Sequence, residues 1–157
     1  MSALLCDRIA AFLDAHHVMS LATGGPQGPH AANLFYARDG LDLVWVSEER
    51  SRHSAELGAN PTVAATIAAD TDDFTAVQGV QIHGRAARVD AFAEAARLRA
   101  VLAARYPFLQ RLDALPEALR AAAGRVAVYR LVPDEVVLID NSRGFGHKET
   151  LVPAPRG

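Results

Sequence analysis

The feature that most constrains the fold of this chain is a series of short segments in which apolar and polar residues alternate, separated by turns that contain glycine or proline. In residues 80–86, valine, isoleucine, glycine and alanine alternate with Gln81, His83 and Arg85. A period of two predicts a β-strand with one buried and one exposed face. From alternation or from short apolar runs, further strands are predicted at residues 18–23, 31–38, 41–47, 62–68, 125–131 and 135–139.

Tight turns indicate how the first strands pair. Residues 24–28 have the sequence Gly-Gly-Pro-Gln-Gly, and Asp39-Gly40 follows the next predicted strand. Short turns of this kind join neighbouring antiparallel strands. We therefore predict that residues 18–47 form a three-stranded antiparallel meander.

Helices are predicted where apolar residues recur every three or four positions. The four segments are 3–16, 52–57, 91–105 and 116–123. Ser51 is the predicted N-cap residue of the second helix, and Asp90 is that of the third. The predicted apolar face of the third helix consists of Phe92, Ala95, Leu98 and Leu102. Many short strands and few helices predict a mostly-β protein, namely a small antiparallel β-barrel whose ends are covered by accessory helices.

The composition excludes several classes of protein. A length of 157 residues fits a single domain over residues 1–157. Sixteen Lys and Arg against 18 Asp and Glu give a net charge of −2, whereas a general nucleic-acid-binding protein carries a basic excess. Cys6 is the only cysteine, which excludes internal disulfides and favours the reducing cytoplasm. No apolar run approaches the roughly 20 residues that cross a bilayer, so no membrane partner is expected.

The segment with the most chemical content extends from Trp45 to His53. A predicted strand ends in Ser47, and after a short loop the next helix begins with Ser51, Arg52 and His53. The N-terminus of a helix offers free backbone N–H groups and a partial positive charge. Together with a hydroxyl, a guanidinium and an imidazole, this arrangement suits a phosphate monoester. The alternative is an N-cap serine followed by two solvent-exposed polar residues.

Two further segments are polar enough to bind a ligand. The first is the exposed face of the strand over residues 80–86, preceded by Gln78, for which the alternative is a solvated outer face of the barrel. The second is residues 140–148, for which the alternative is a solvated C-terminal tail. No metal site is expected, because His16 and His17 are neighbours on the first predicted helix and point about 100° apart.

Taken together, several segments resemble the FMN-binding split-barrel family related to pyridoxamine 5′-phosphate oxidase. The resemblance covers about residues 4–148 and rests on the order and spacing of its segments. These segments are residues 17–23, 29–36, 46–53, 56–57, 60–61 and 79–86. Residues 141–147 are similar to the tail of an uncharacterised branch of that family, and not to the oxidase itself.

The resemblance implies a homodimer of six-stranded antiparallel split barrels, with two FMN molecules in grooves between the subunits. In such proteins a strand-end hydroxyl and the segment after it hold the FMN phosphate and ribityl chain. This assigns Val46, Ser47, Ser51, Arg52 and His53 to cofactor binding. His53 stands where the family has a lysine, and a neutral histidine carries less charge towards a phosphate.

The resemblance also implies contacts with the flavin ring. The strand after the first turn lies beside the ring in this family, which assigns Asn33, Leu34 and Phe35 to the cofactor. Gln78 and Gln81 match a segment that reaches FMN from the partner subunit.

The activity implied is that of an FMN-dependent oxidoreductase acting on an unidentified small-molecule substrate. No catalytic side chain is assigned, and His147 and Lys148 are the nearest acid or base candidates by position. The C-terminal arginine- and histidine-containing motif with which the oxidase binds pyridoxamine is not found in this sequence. Oxidation of vitamin B6 is therefore not expected.

Three alternatives remain open at this point. The first is a non-catalytic flavin- or haem-binding protein or sensor of the same fold, in which His83, His53 or His147 is the axial ligand of the haem iron. The second is a deazaflavin-dependent reductase, against which the net negative charge argues. The third is a dimeric split barrel that has lost its ligand.

Overall fold

The two edge strands of the sheet are consecutive in the sequence and form two halves of one extended segment, residues 28–39. In the computed structural model, which describes residues 2–111 and 114–155, eight strands form a single antiparallel sheet. The strands are β1 (Val18–Gly25), β2 (Gly28–Phe35), β3 (Ala37–Asp39), β4 (Asp42–Glu48), β5 (Thr62–Ala68), β6 (Gln78–Arg88), β7 (Val126–Asp140) and β8 (Lys148–Leu151). The helices are α1 (Ser2–Ala15), α2 (Arg52–Ala59), α3 (Phe92–Arg105) and α4 (Glu117–Ala123).

The order of the strands closes the sheet. This order is β2-β1-β5-β6-β7-β4-β3, and β8 adds to β7. Strands β2 and β3 lie at opposite ends of the path, and only Tyr36 separates them in the sequence. One continuous segment therefore joins the two edges, and the sheet curls into a split barrel. With β2 and β3 counted as one strand and the short β8 left aside, the barrel has six main strands, which confirms the predicted fold class.

The predicted three-stranded meander over residues 18–47 is wrong. Strands β1 and β2 form one hairpin and β3 and β4 another, and β4 pairs with β3 and β7 rather than with β2. The cause is the break at Tyr36, whose side chain is fully buried and whose hydroxyl donates to the carbonyl of Leu13 at 2.7 Å. The strand changes its partner at this residue, from β1 to β4.

The surroundings of Tyr36 connect the strand break to two helices. The hydroxyl of Tyr106 donates to the carbonyl of Tyr36 and, at 3.1 Å, to that of His17. The guanidinium of Arg105 lies 5.3 Å from the centroid of the Tyr36 ring and donates to the carbonyl of His16. Because the last carbonyls of a helix lack partners within the helix, this arginine helps to cap α1.

Strand β7 is a single strand of 15 residues, where the sequence predicts two strands at 125–131 and 135–139. It continues through Pro133, which lies opposite Gly84 at a register shift between β6 and β7. Proline is tolerated at such irregularities of a sheet. A Cβ on Gly84 would lie 2.3 Å from the carbonyl oxygen of Val132, so glycine is required for the two backbones to approach this closely.

Two apolar clusters stabilise the barrel. The first fills the interior and includes the buried face of α1, and the second lies between α3 and the outer face of the sheet. Strand β4 belongs to both, because Leu43 and Trp45 point into the first cluster whereas Val44 and Val46 point into the second. The predicted core position of Trp45 is confirmed, and β4 is buried on both faces.

Helix α3 departs from the prediction at its N-terminus. Ala91, and not Asp90, occupies the N-cap position, and it makes no side-chain hydrogen bond. The carboxylate of Asp90 instead pairs with Arg88 at 3.1 Å. Phe92 is 90% exposed, because the first turn of α3 lies outside the second apolar cluster. The buried residues of α3 are Leu98 and Leu102, as predicted.

The close approach at Gly84 gives a test of the barrel. We expect Gly84→Ala to lower the free energy of unfolding by about 2–3 kcal/mol, because the added methyl group meets backbone atoms of the β6–β7 ladder. Gly58→Ala in α2 is the matched control, since a Cβ there meets nothing within 4 Å and alanine favours the helix. Urea denaturation measures both variants. Equal stability of the two variants would contradict the register shift.

Candidate functional site

Ser47, Ser51 and His53 form a polar cluster where β4 leads into α2, and we call it the hydroxyl–imidazole cluster. The Nε2 atom of His53 lies 2.7 Å from Oγ of Ser47 and 3.1 Å from Oγ of Ser51. The two hydroxyl oxygens are 3.3 Å apart. The chain turns between them through a backbone hydrogen bond from Ser51 to Glu48 at 3.0 Å. Val46, assigned to the cofactor from the sequence, points to the opposite face of β4 and packs towards α3, so its backbone alone is near the cluster.

The hydrogen bonds around Ser51 indicate which atoms of the cluster donate. Ser51 is the N-cap residue of α2, as predicted, and it accepts from the backbone N–H of Ser54 at 3.4 Å. Its own hydroxyl donates to Oγ of Ser54 at 2.8 Å. Ser51 is therefore an acceptor towards His53, and we assign a proton to Nε2 of that imidazole. In the contact between the two hydroxyls Ser47 is then the donor, and its hydroxyl would turn from Ser51 to donate to a bound anion.

His53 is buried in the folded chain. It is 8% exposed, which contradicts the alternative interpretation of a solvent-exposed polar residue at this position. Burial lowers the pKa of His53, and the nearby charge of His30 on β2 lowers it further, whereas Glu56 acts in the opposite direction. The neutral imidazole is therefore favoured.

Arg52, Glu56 and Thr23 form a second polar group beside the cluster. Nε of Arg52 donates to Oε1 of Glu56 at 2.7 Å, and the hydroxyl of Thr23 donates to Oε2 at 2.7 Å. These hydrogen bonds lower the pKa of the Glu56 carboxyl, so it is ionised and its charge is compensated. The side chain of Arg52 is 42% exposed, and its Nη atoms make no hydrogen bond to residues 2–111 or 114–155. They remain available to a ligand.

Sequence reasoning did not assign Thr23, His30 or Glu56 to the site. A signal for Glu56 is present, because it follows Arg52 by four residues, the spacing at which opposite charges pair on a helix. Thr23 and His30 lie opposite each other in the β1–β2 hairpin. Their approach to α2 depends on the packing of that helix against β1 and β2, which no local pattern specifies.

The three residues assigned to the cofactor on β2 point in alternate directions. Leu34 is half-buried against the interior apolar cluster, whereas Asn33 and Phe35 are exposed. Oδ1 of Asn33 accepts a hydrogen bond from the hydroxyl of Ser20 at 2.8 Å, which orients its amide. Phe35 is 55% exposed, with its ring 5.3 Å from that of Tyr106. Asn33 and Phe35 are therefore presented to a ligand or to a second molecule.

Gln78 and Gln81 lie on β6, away from the hydroxyl–imidazole cluster. Ser47 pairs with Ala127 of β7, whereas Gln81 pairs with Val137 of the same strand. Roughly 30 Å of extended strand lies between these two positions of β7. The amide of Gln78 donates to Oδ1 of Asp140 at 3.2 Å, and within the described residues neither glutamine is hydrogen-bonded to the cluster.

The histidines considered as haem ligands have different surroundings. Nε2 of His53 is engaged by the two serine hydroxyls, and Nε2 of His147 lies 3.3 Å from the carboxylate of Glu149. His83 is exposed on β6, as its alternation predicts; its backbone pairs with β5 and β7, and its imidazole makes no hydrogen bond within the described residues. Of the three histidines, His83 is the one whose imidazole has no polar side-chain partner among the described residues.

His16 and His17 lie just after α1, which ends at Ala15, and not within the helix as predicted. The ring of His16 stacks on that of Phe12, with 4.1 Å between the centroids. Within the described residues, no group of three or more His, Cys, Asp or Glu side chains is placed to hold a metal ion.

The polar segment at residues 140–148 is folded against the loop that precedes β6. Nδ2 of Asn141 donates to the carbonyl of Phe74 at 3.0 Å, and the ring of Phe145 lies 5.0 Å from that of Phe74. The carboxylate of Asp140 accepts from the hydroxyl of Ser142 at 2.6 Å. These contacts hold the backbone of the segment, while residues 142–146 are exposed to solvent, as the alternative of a solvated segment predicts.

Comparison with known proteins identifies relatives over most of the chain. The family model for pyridoxamine 5′-phosphate oxidase matches residues 5–140. A UPF0306 protein of Serratia proteamaculans is 31% identical over 144 residues, which cover 90% of each chain.

Two solved structures share the fold. A Listeria innocua protein, provisionally assigned as a pyridoxamine 5′-phosphate oxidase, superposes with a TM-score of 0.65 at 23% identity, covering 84% of this chain and 95% of that one. The haem storage protein HutZ of Vibrio cholerae superposes with a TM-score of 0.64 at 20% identity, covering 81% and 88%. At these identities the likeness shows the fold and not the ligand.

The lowered pKa of His53 predicts a pH dependence of stability. Below the ordinary histidine value near 6.5, the unfolded chain takes up a proton that the folded chain resists, so stability is lost as the pH falls. We expect the free energy of unfolding to fall more steeply between pH 7 and pH 5 in the native chain than in His53→Gln. Urea denaturation at a series of pH values measures this difference.

The same pair of chains provides its own control. Above pH 7 the imidazole is neutral in the folded and unfolded states, so the two stability curves should there differ by a constant amount. Parallel curves down to pH 5 would contradict the burial of a neutral His53.

Proposed function

We propose that this chain is a flavoprotein that binds FMN and acts as an FMN-dependent oxidoreductase on a small substrate. The chain belongs to the pyridoxamine 5′-phosphate oxidase family and, within it, to the UPF0306 proteins. The observation that carries the proposal is the hydroxyl–imidazole cluster. The hydroxyl of Ser47 and the Nε2–H of His53, both in contact with Oγ of Ser51, converge at the N-terminus of α2 in a mostly buried position. This set of donors fits a phosphate monoester.

Several groups of the chain would hold the phosphate. The hydroxyl of Ser47 and Nε2–H of His53 donate from the cluster, and the Nη groups of Arg52 add positive charge from the solvent side. The first backbone N–H groups of α2 have no partner within the helix and contribute further donors. The negative charge of Glu56 does not oppose an anion strongly, because Arg52 and Thr23 compensate it.

When bound, FMN supplies the transfer of hydride or electrons, and the protein supplies position and electrostatics. We assign the orientation of the flavin ring to the backbone of β2 and to the amide of Asn33, whose Oδ1 accepts a hydrogen bond from Ser20. No side-chain acid or base is assigned, and His147 and Lys148 remain candidates by position only. The sequence lacks the substrate-binding motif of the oxidase, so we propose a substrate other than a B6 vitamer.

We further propose a homodimer with FMN between the subunits. The β7 partners of Ser47 and Gln81 are Ala127 and Val137, and this separation along the strand supports a contact of Gln78 and Gln81 with the cofactor from a second chain. The exposed rings of Phe35 and Phe108 lie 6.1 Å apart beside Tyr106 and form an apolar surface suited to burial by that chain.

The proposed setting is the cytoplasm, with residues 1–157 as a single domain. The described cysteine, Cys6, is free, which suits a reducing compartment. Within the described part of the chain, none of the helices is both long and apolar enough to cross a membrane.

A haem-binding protein is the second candidate. The observation that favours it is His83, an exposed imidazole on β6 without a hydrogen bond to any described residue, which leaves a ring nitrogen for iron. The haem storage protein HutZ of Vibrio cholerae has the same fold. Haem ligation by His53 is disfavoured, because the two serines already engage its Nε2.

The first test of the proposed function is the cofactor itself. We expect protein purified without added cofactor, or after incubation with FMN, to show flavin absorbance and to release a chromophore with the mass of FMN. We expect Arg52→Ala to raise the dissociation constant for FMN about 10- to 100-fold, the loss of one charge-assisted contact. Quenching of flavin fluorescence measures the affinity.

Arg120→Ala is the control, because it removes the same charge from an exposed position on α4 and should leave the affinity unchanged. Equal affinity of Arg52→Ala and the native chain would contradict the phosphate assignment. A strong Soret band would favour haem, and a colourless protein that does not take up FMN would contradict the flavoprotein proposal.

The proposed dimer gives a separate prediction. We expect Phe35→Asp to convert the dimer into a monomer that binds FMN poorly, because a charge would be placed in the apolar surface around Phe35, Tyr106 and Phe108. Phe92→Asp is the matched control, since Phe92 is 90% exposed at the start of α3. Light scattering after size-exclusion chromatography measures the mass. A native monomer, or a dimeric Phe35→Asp variant that retains FMN, would overturn this arrangement.

A further inference from the structure

We propose that the hydroxyl–imidazole cluster takes up a proton at His53 when it binds the FMN phosphate, so that retention of the cofactor weakens as the pH rises above neutrality. This inference rests on the proposed function and names a regulation of the same site. Without a bound anion the imidazole of His53 is neutral, whereas a phosphate favours the positively charged imidazolium.

The geometry gives His53 a central place in the cluster. Its Nε2 lies within hydrogen-bond distance of Ser47 and Ser51 together, at 2.7 and 3.1 Å. The Ser51 hydroxyl is used by Ser54, so Nε2–H and the Ser47 hydroxyl are the donors that the cluster can turn towards an anion. A phosphate bound there lies against the imidazole, and in a mostly buried position a charge on that ring is strongly felt.

The groups around His53 keep it neutral in the absence of an anion. β4 contributes the uncharged Ser47 and β1 contributes Thr23, whereas β2 contributes His30, which disfavours a second positive charge. On α2, Glu56 favours the charged imidazole, but Arg52 and Thr23 already share that carboxylate. The net result is a lowered pKa of His53 in the folded chain, caused mainly by burial.

A phosphate dianion reverses this balance. Two negative charges next to the buried ring stabilise the imidazolium. Because Nε2 already carries a proton, each binding event transfers a proton from the buffer to Nδ1 of His53. The phosphate of FMN loses its own second proton near pH 6, which favours binding as the pH rises towards 6.5. Above that pH the cost of protonating His53 dominates, and the affinity falls with pH.

The experiment measures FMN affinity for the full chain by fluorescence quenching from pH 6.5 to pH 8.5. We expect the dissociation constant to rise with pH and to approach about tenfold per pH unit, as for the uptake of one proton. Riboflavin, which lacks the phosphate, should bind with little pH dependence. Titration calorimetry in buffers of different ionisation enthalpy measures the proton uptake of the native chain directly.

Variants assign the proton to its residue. His53→Lys should bind FMN without this slope because its charge is permanent, and His53→Gln should bind weakly and also without the slope. His30→Gln is the matched control, which should keep the slope and move it to higher pH because a charge that opposes protonation is removed.

The two proposals fail in distinguishable ways. A native chain that binds FMN with a flat profile and no proton uptake, or a slope that persists in His53→Gln, would overturn the inference and leave the flavoprotein intact. Absence of FMN binding at every pH, in the native chain and in His53→Lys, would overturn the proposed function and this inference with it.

Discussion

The fold depends on the break in the strand at Tyr36. A strand that crosses from one edge of a sheet to the other must leave its first partner before it meets its second, and its backbone groups need other partners at that point. Here the carbonyl of Tyr36 accepts a hydrogen bond from the hydroxyl of Tyr106, and the hydroxyl of Tyr36 donates to the carbonyl of Leu13. A buried polar group without a partner is costly. The hydrogen bonds that close the barrel at Tyr36 are therefore the same ones that position α1 and the C-terminal end of α3.

The same constraint builds the hydroxyl–imidazole cluster. Strand β4 pairs with β3 on one side and with β7 on the other, and its alternation places Leu43, Trp45 and then Ser47 on the same face. The tight turn after Ser47 begins α2, which packs across the β1–β2 hairpin. Residues far apart in the sequence meet there, with Glu56 of α2 against Thr23 of β1. A hydroxyl at the end of a core strand thus becomes part of the proposed binding site.

The sequence was most informative where the determinants are local. The bounds of β5, the two faces of β6 and the N-cap at Ser51 all follow from neighbouring residues, and all agree with the structure. The meander failed because a turn specifies the pairing of two strands and says nothing of the third. The prediction divided β7 into two strands on either side of Pro133, a residue type that usually interrupts a strand, and its partner Gly84 explains how it is accommodated. The role of Glu56 depends on tertiary packing in the same way.

The choice between flavin phosphate and haem iron rests on the chemistry of the donors, because the fold is shared by proteins with different ligands. Iron needs an imidazole nitrogen with a free lone pair, whereas phosphate oxygens need N–H and O–H groups that point at them. His53 has the second character, since its Nε2 is already a donor among hydroxyls at a helix N-terminus. To bind iron through Nε2 it would have to lose the Nε2 proton, which binding to an anion retains. The buried cluster therefore favours an anion, and an iron site would have to be built on the exposed face of β6 around His83.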